Sequence, residues 1–479
     1  MKYKTQAMKK LRLLVCGILF LGIGVGKGQY TVLHNFNDTN GATPMYGPLL
    51  LSGNVLYGMT WLGGATNVGV VFSIHIDGSG FKDLLEFNNI DGRLPTGALI
   101  ISGKKLFGMT AGGGPNGNVF TIDTNGGNYK NILNVSVARG FDPFGTLALS
   151  GNKLFGMTSI GGLYNDGNIF AVDTDGSAAK DLFDFNNSDG GGPHGAVTIY
   201  KNKLYGMAGS GGAKNKGVIF SLDSNGNNYK VLLNFNDTNG ASPAGSLTLS
   251  GKKLYGMTKG GGVNAWGLIF SIDTNGLNYH DLFDFNLTNG AGPYGSLTIT
   301  DSMLFGMSWY GAGHGSGNIF SIDTNGNYFS DLYDFNSATG WQPTGDITKL
   351  GNVLYGMTNT GGTYGKGVVF RFKDTSMTTS IHQLSSSCMR IYVYPNPSSG
   401  IFTLSLSNPS DIAGVQTRVE VYNVLGEKVQ TSSLPSPLGE GASFTYTLNI
   451  SSEPNGVYFY KVVAADGTIL NTGKMVVEK

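Results

Sequence analysis

The sequence predicts an all-β protein: a seven-bladed β-propeller of four-stranded blades, closed by its N-terminal strand and followed by a small Ig-like β-sandwich. Three observations carry this reading. First, an apolar residue, an aromatic and then Gly-Met-Thr or a near variant recur seven times. The glycine falls at Gly58, Gly108, Gly156, Gly206, Gly256, Gly306 and Gly356, at intervals of 48 or 50 residues. Such a period marks a modular array whose units bury a core only by stacking on neighbours. Second, short runs inside each unit alternate apolar and polar residues, the period of a strand, and no segment carries a helical period. Third, the repeat stops near residue 374 and a different strand-rich module follows.

The chain opens with Lys2, Lys4, Lys9, Lys10 and Arg12 ahead of an apolar run from Leu13 to Val25. This is the pattern of a secretory signal peptide, expected over residues 1–28 with cleavage before Gln29, and it is short for a bilayer span. Val15 stands before Cys16 where a lipid-anchored protein needs a small residue, so no lipid anchor is expected. Cleavage would leave Cys388 as the only thiol, and hence no internal disulfide. No second hydrophobic stretch approaches spanning length, so no stable membrane span is expected.

The copy around Gly256 illustrates the blade. Gly245 to Ser250 alternates as a first strand, Gly251-Lys252 turns the chain, and Lys253 to Thr258 forms the second. A Gly-rich stretch leads into Leu268 to Asp273, the third strand. Thr274-Asn275-Gly276 is a tight turn, because Asn and Gly tolerate positive φ, and Tyr279 to Asn286 is the fourth strand. The array ends are complementary. Residues Tyr30 to Asn37 match a fourth strand with no first three, and the seventh copy stops after its third strand, Val368 to Lys373. Pairing the two completes the seventh blade of a propeller that spans residues 29–374.

The recurrent methionines (Met59, Met109, Met157, Met207, Met257, Met307 and Met357) read as packing between blades, where thioether chains fill irregular gaps. The glycine before each would let adjacent sheets approach closely. The repeated Asp-Thr-Asn-Gly at Asp273 and Asp323 lacks the residue count of a calcium loop and reads as a turn motif. Six scattered histidines have no zinc-ligand spacing, and Gly367 stands where a phosphate loop needs Ser or Thr. No catalytic residue, metal site or cofactor is expected. With 32 basic residues against 31 acidic ones and no basic stripe, no nucleic-acid partner is expected either.

In an up-and-down meander the long connections, from second to third strand and from blade to blade, share one face. Binding residues tend to sit on loops held by a rigid scaffold. Trp61, Trp266 and Trp309 fall in second-to-third-strand loops and Trp341 in the link to blade seven, all in consecutive blades of a closed ring. Tyr310, His314 and Tyr364 lie in the same arc. Flat rings beside Asn, Gly and Ser offer a sugar an apolar face and polar groups for its hydroxyls; the alternative is that the rings cover Gly-rich loops. Across the ring, the blade-two loop (Ala111 to Gly117) is two residues short and its fourth strand loses the Phe-Asn pair. Arg93 and Arg139 flank that blade as the only arginines in long links and form a candidate anion clamp.

A polar linker, residues 375–390, leads to a second all-β module over 391–479. Its spaced motifs are Tyr394-Pro395-Asn396-Pro397 with Gly400, then Val419 to Val429 around Gly426, then Pro454-Asn455-Gly456-Val457-Tyr458, and finally Lys474 to Lys479. This set resembles the type A C-terminal sorting domain of the type IX secretion system of Gram-negative bacteria. The resemblance implies that Pro395, Asn396, Pro397, Gly400, Gly426, Gly456 and Lys474 belong to a sorting signal. It also implies that the secretion machinery is a partner, and that the chain passes through the periplasm to the surface or medium. The seven repeats resemble GloVer-type tandem repeats, which implies architecture and no established activity. The expected function is therefore a monomeric, secreted or surface-bound binding module, with extracellular glycan as the favoured ligand. The alternatives are a polysaccharide-cleaving enzyme using the same face and a structural surface protein without a small ligand.

Overall fold

The computed structural model describes residues 28–113, 116–135, 140–374, 390–407, 417–424, 426–434, 444–464 and 469–479. The expected signal peptide, Arg139 and residues 375–389 of the linker lie outside the described residues. The chain divides into two compact units that meet near residue 376. Among the described residues of the first unit there are seven four-stranded antiparallel sheets and no helix.

In the fifth blade Thr248–Ser250, Lys253–Thr258, Leu268–Asp273 and His280–Asp284 pair in chain order. The seventh sheet is assembled from both ends of the unit: Gln29–Asn35 runs antiparallel to Val368–Lys373, with Gln29 opposite Lys373 and Asn35 opposite Val368. Outside blade two, whose first strand is Arg93–Ser102, the first strands are three residues long, and the fourth strands too are shorter than their alternation suggests, for two reasons. Residues ahead of the first strands of blades four, five and six donate sideways to the next blade instead of to their own. The phenylalanine after each fourth strand turns out of the sheet, its N–H donating to a glycine carbonyl of its own blade, as from Phe285 to Gly267 at 3.0 Å.

That phenylalanine is the main filler between blades. Phe36, Phe87, Phe185, Phe235, Phe285 and Phe335 are fully buried, each contributing roughly 1.5–3 kcal/mol of transfer free energy. Val135 takes this place in blade two. The methionines lie where expected: Met157 packs with Val197 and Leu204 of the following blade, and all seven are at most 5 % exposed. The glycine before each methionine has a different role from the expected one. A Cβ at Gly256 would lie 2.5 Å from Cζ of Phe270, its cross-strand partner. The glycine therefore makes room for the ring of its own blade rather than for a neighbouring sheet.

A second set of glycines surrounds the axis. A Cβ on Gly245 would lie 2.2 Å from the Gly295 carbonyl oxygen, and one on Gly295 would lie 2.3 Å from that of Gly345. The same contact joins Gly345 to Gly47, at 2.5 Å, so the last blade meets the first as any two neighbours meet. Only a residue without a side chain lets the backbones approach this closely. The axial N–H groups then need acceptors, and the next blade supplies them. Ala98 donates to Thr146 Oγ1, Ala196 to Ser246 Oγ and Ser246 to Ser296 Oγ, each at 2.8 Å. Ser296 donates to the Asp346 carboxylate.

The second unit pairs Arg390–Tyr394, Ile401–Ser407 and Phe444–Asn449 in one sheet. Thr417–Tyr422, Lys428–Leu434, Gly456–Ala464 and Ile469–Val477 form the other. Phe402, Leu404 and Leu448 from the first sheet share a core with Val419, Val421, Tyr460, Met475 and others from the second, which makes a sandwich. The Pro-Asn-Pro segment is tied to the last strand. Asn396 Nδ2 donates to the Lys474 carbonyl at 3.0 Å, and Val476 N–H donates to Asn396 Oδ1 at 2.9 Å. Gly400 approaches Ser451 too closely for any Cβ, Gly426 sits in a turn at φ 83°, Gly456 opens its strand opposite Val477, and Lys474 is exposed.

Candidate functional site: the aromatic mouth on the long-loop face

Two-residue hairpins, such as 251–252, and the third-to-fourth-strand turns lie at one end of the strands. The second-to-third loops and the blade-to-blade links lie at the other. On that long-loop face two repeat positions approach the axis. One is the residue before each axial glycine: Tyr46, Thr96, Phe144, His194, Ala244, Tyr294 and Thr344. The other is the third residue after each Gly-Met-Thr glycine: Trp61, Ala111, Ser159, Gly209, Lys259, Trp309 and Asn359.

The two sets touch. Lys259 Nζ donates to Tyr294 Oη at 2.7 Å and lies 4.6 Å from the centre of the same ring. Trp309 also meets the Tyr294 ring edge-on at 5.5 Å. The Asn359 amide nitrogen donates to Thr344 Oγ1 and to the Pro44 carbonyl, both at 2.8 Å. Rings also meet across the axis: Tyr46 of blade one lies 6.3 Å from Tyr294 and 5.5 Å from Phe144, which stacks on His194 at 5.0 Å. Beneath them a cavity of about 20 Å³ is lined by Tyr46, His194, Ser246, Ser296 and Asp346 among others, room for about one water molecule. The rings plug the axis, and what a ligand meets is their outer surface.

Burial sets the protonation states here. It lowers the His194 pKa, with the nearby Lys259 charge acting in the same direction, so the imidazole is neutral at pH 7. Burial, and then Tyr294, pushes the Tyr46 hydroxyl up to about 12. Burial pushes Asp346 up to about 6, against the hydrogen bonds from Ser296.

The sequence-predicted aromatics separate into different settings. Trp266 packs on the core of blades five and six and meets Tyr310 edge-on at 5.6 Å; Tyr310 in turn meets Trp309 at 5.1 Å. Trp309 thus links the outer loops to the mouth. Trp61 occupies the same repeat position as Trp309, is half-buried, and its indole N–H has no partner among the described residues. Trp341 lies in its own groove of about 610 Å³, with Ser337, Ala338, Gln342, Thr360, Gly361 and their neighbours, and is 43 % exposed. Tyr364 and His314 stand in solvent at loop tips.

Arg93 is a strand residue rather than a loop residue: Arg93–Ser102 pairs with Lys105–Gly112, Arg93 opposite Gly112. The shortened blade-two loop allows both strands to extend. The Arg93 side chain lies over Gly112 and its charge acts on Asp142, whose pKa burial raises and Arg93 lowers. Tyr46, Phe144, His194 and Tyr294 were missed by the sequence reading. Their signal was present, since a position just before an otherwise invariable glycine varies from alanine to tyrosine, but its location at the axis needs the fold. Among the described residues, no three His, Cys, Asp or Glu side chains converge as a metal site would require.

The Gloeobacter/Verrucomicrobia repeat matches residues 17–208, 115–276 and 201–401. The secretion system C-terminal sorting domain matches residues 392–478, and it marks the protein for type IX export to the cell surface or beyond. No curated protein matches the chain. Among solved structures, an oligogalacturonate lyase in complex with manganese is similar at 13 % identity and a TM-score of 0.51, over 74 % of this chain and 95 % of that one. A puromycin hydrolase is similar at 11 % identity and a TM-score of 0.48, over 77 % and 59 %. The first likeness supports the propeller fold and nothing about activity.

Proposed function

The chain belongs to the Gloeobacter/Verrucomicrobia repeat family and ends in a secretion-system sorting domain, and from that premise we propose that it is a monomeric extracellular glycan-binding propeller. Its leader, expected at residues 1–28, is removed on export. One observation carries the reading: Trp341 is the exposed indole in an open groove of about 610 Å³ whose other walls are serine, alanine, glutamine, threonine and glycine. That volume is in the range of small-ligand sites. A pyranose ring needs one flat apolar surface and several hydroxyl partners, and this groove offers both. Stacking is worth roughly 0.5–1.5 kcal/mol per ring by analogy with aromatic pairs, so binding is weak per site and suits a multivalent surface.

Calorimetric or array screening of soluble oligosaccharides tests this. Trp341→Ala is expected to abolish binding while the melting temperature holds, because the ring lies outside the buried cores. A neutral oligosaccharide retained by Trp341→Ala, or a broad screen without any ligand, refutes the groove.

A further inference from the structure

We propose that the axial mouth is a second subsite, selective for the carboxylate of an acidic sugar residue, with Lys259 as its counter-charge. This deepens the glycan reading and rests on it. The two sets of mouth positions contain several aromatic rings, hydroxyls and an amide, one histidine, one lysine and no acidic residue. Two other lysines on the same face have carboxylate partners, Lys216 with Asp237 and Lys366 with Asp38, each at 3.0 Å, and Lys214 stands exposed at a loop tip, away from the two sets of mouth positions. Lys259 has no carboxylate within ion-pair distance among the described residues. Its described partners are the Tyr294 hydroxyl and ring.

Lys259 is half-buried, and its neighbour His194 is held neutral partly by its charge. A cation desolvated beside aromatic surface gains most from an anion that brings its own apolar body. A uronate ring does this: its carboxylate accepts from Lys259 Nζ and Tyr294 Oη while its ring lies against Trp309. A neutral hexose gives the ammonium no counter-charge.

The test uses the exported chain and matched tetrasaccharides that differ only in oxidation at C6, β-1,4-glucuronate against cellotetraose and α-1,4-galacturonate against α-1,4-galactose. Titration calorimetry at low salt is expected to show an acidic member binding at least ~10-fold more tightly than its neutral partner, the scale of one hydrogen bond to a charged group. Raising the ionic strength shrinks that preference. Lys259→Met removes it, Lys259→Arg keeps part of it, and both retain the binding that depends on Trp341. Neutral and acidic partners binding equally, or an acid preference surviving in Lys259→Met with unchanged melting temperature, overturns the subsite and leaves the Trp341 groove standing. No binding in either series overturns both.

Discussion

Replacing Asp346 by asparagine isolates the cost of placing a carboxyl at the axis. Other blades cap the corresponding N–H with serine or threonine hydroxyls, whereas Asp346 caps that of Ser296 with an ionisable group. Its pKa stands at about 6 against 3.8 in the unfolded chain. At 1.36 kcal/mol per unit the difference is about 3 kcal/mol, an upper bound because the side chain keeps some contact with the axial cavity. The sign follows from linkage. The folded protein holds the proton more tightly, so the contribution is full below pH 3.8, falls as the pH rises towards 6, and is lost above it. Asparagine keeps the acceptor oxygen and cannot ionise. At pH 7.5 Asp346→Asn is therefore expected to be more stable by up to ~3 kcal/mol, with a melting temperature higher by several degrees; at pH 4 the two proteins should coincide. Scanning calorimetry of both chains at pH 4, 5, 6 and 7.5 measures this. Other raised carboxyls, such as Asp281 at about 6, occur in both proteins and cancel in the difference. A gap that does not change with pH, or a variant less stable at pH 7.5, refutes the reasoning.

Deleting residues 29–36 should destabilise the propeller by at least ~3 kcal/mol, since it removes Phe36 and uncovers Val368–Lys373; unchanged melting would show that the last blade stands without its fourth strand. Ala179→Tyr should lower the melting temperature, because the cavity of about 10 Å³ beside Val135 has room for about one water and not for a phenol ring, whereas Tyr229, at the same repeat position one blade on, stacks on Phe183 at 3.9 Å; a higher melting temperature would show that the site opens to take the ring. In the second unit, hydrogen bonds from Tyr422, Arg418 and Lys428 hold Glu420 down to about 2. Its depressed pKa stabilises the unit above pH 4.5, and that contribution fades as the pH falls towards 2. Glu420→Gln should flatten this part of the acid-unfolding curve, and an unaltered curve would assign the loss to other groups.

The architecture was legible because it is written seven times. The Gly-Met-Thr phrase, the alternation around it and the stray strand at Tyr30 each imply the same blade. Strand ends were less legible, because Gly245 and Ser246 alternate like a strand while their hydrogen bonds go sideways, a choice made by the neighbouring blade. The site was harder still. Tryptophan is conspicuous, so all four were noticed, yet Trp266 serves a core and Trp341 a groove, a distinction set by packing. Lys259 and Tyr294, 35 positions apart in the chain, have no local signal that they meet. The role of Arg93 followed from the shortened blade-two loop, which converts a link residue into a strand residue.

The pairing of Gln29 with Lys373 fixes a polarity in the propeller. Val368–Lys373 starts at the long-loop face and ends among the short turns, and Gln29–Asn35 runs the opposite way beside it. Gly28 and Asp374 are therefore neighbours, at the short-turn end of these two paired strands. Asp374 is buried there, its N–H donating to the Asn352 carbonyl at 2.9 Å. Gly28 and Asp374 thus lie at the end of the strands opposite to the loops that carry Trp341 and Lys259, the residues of the two proposed sites.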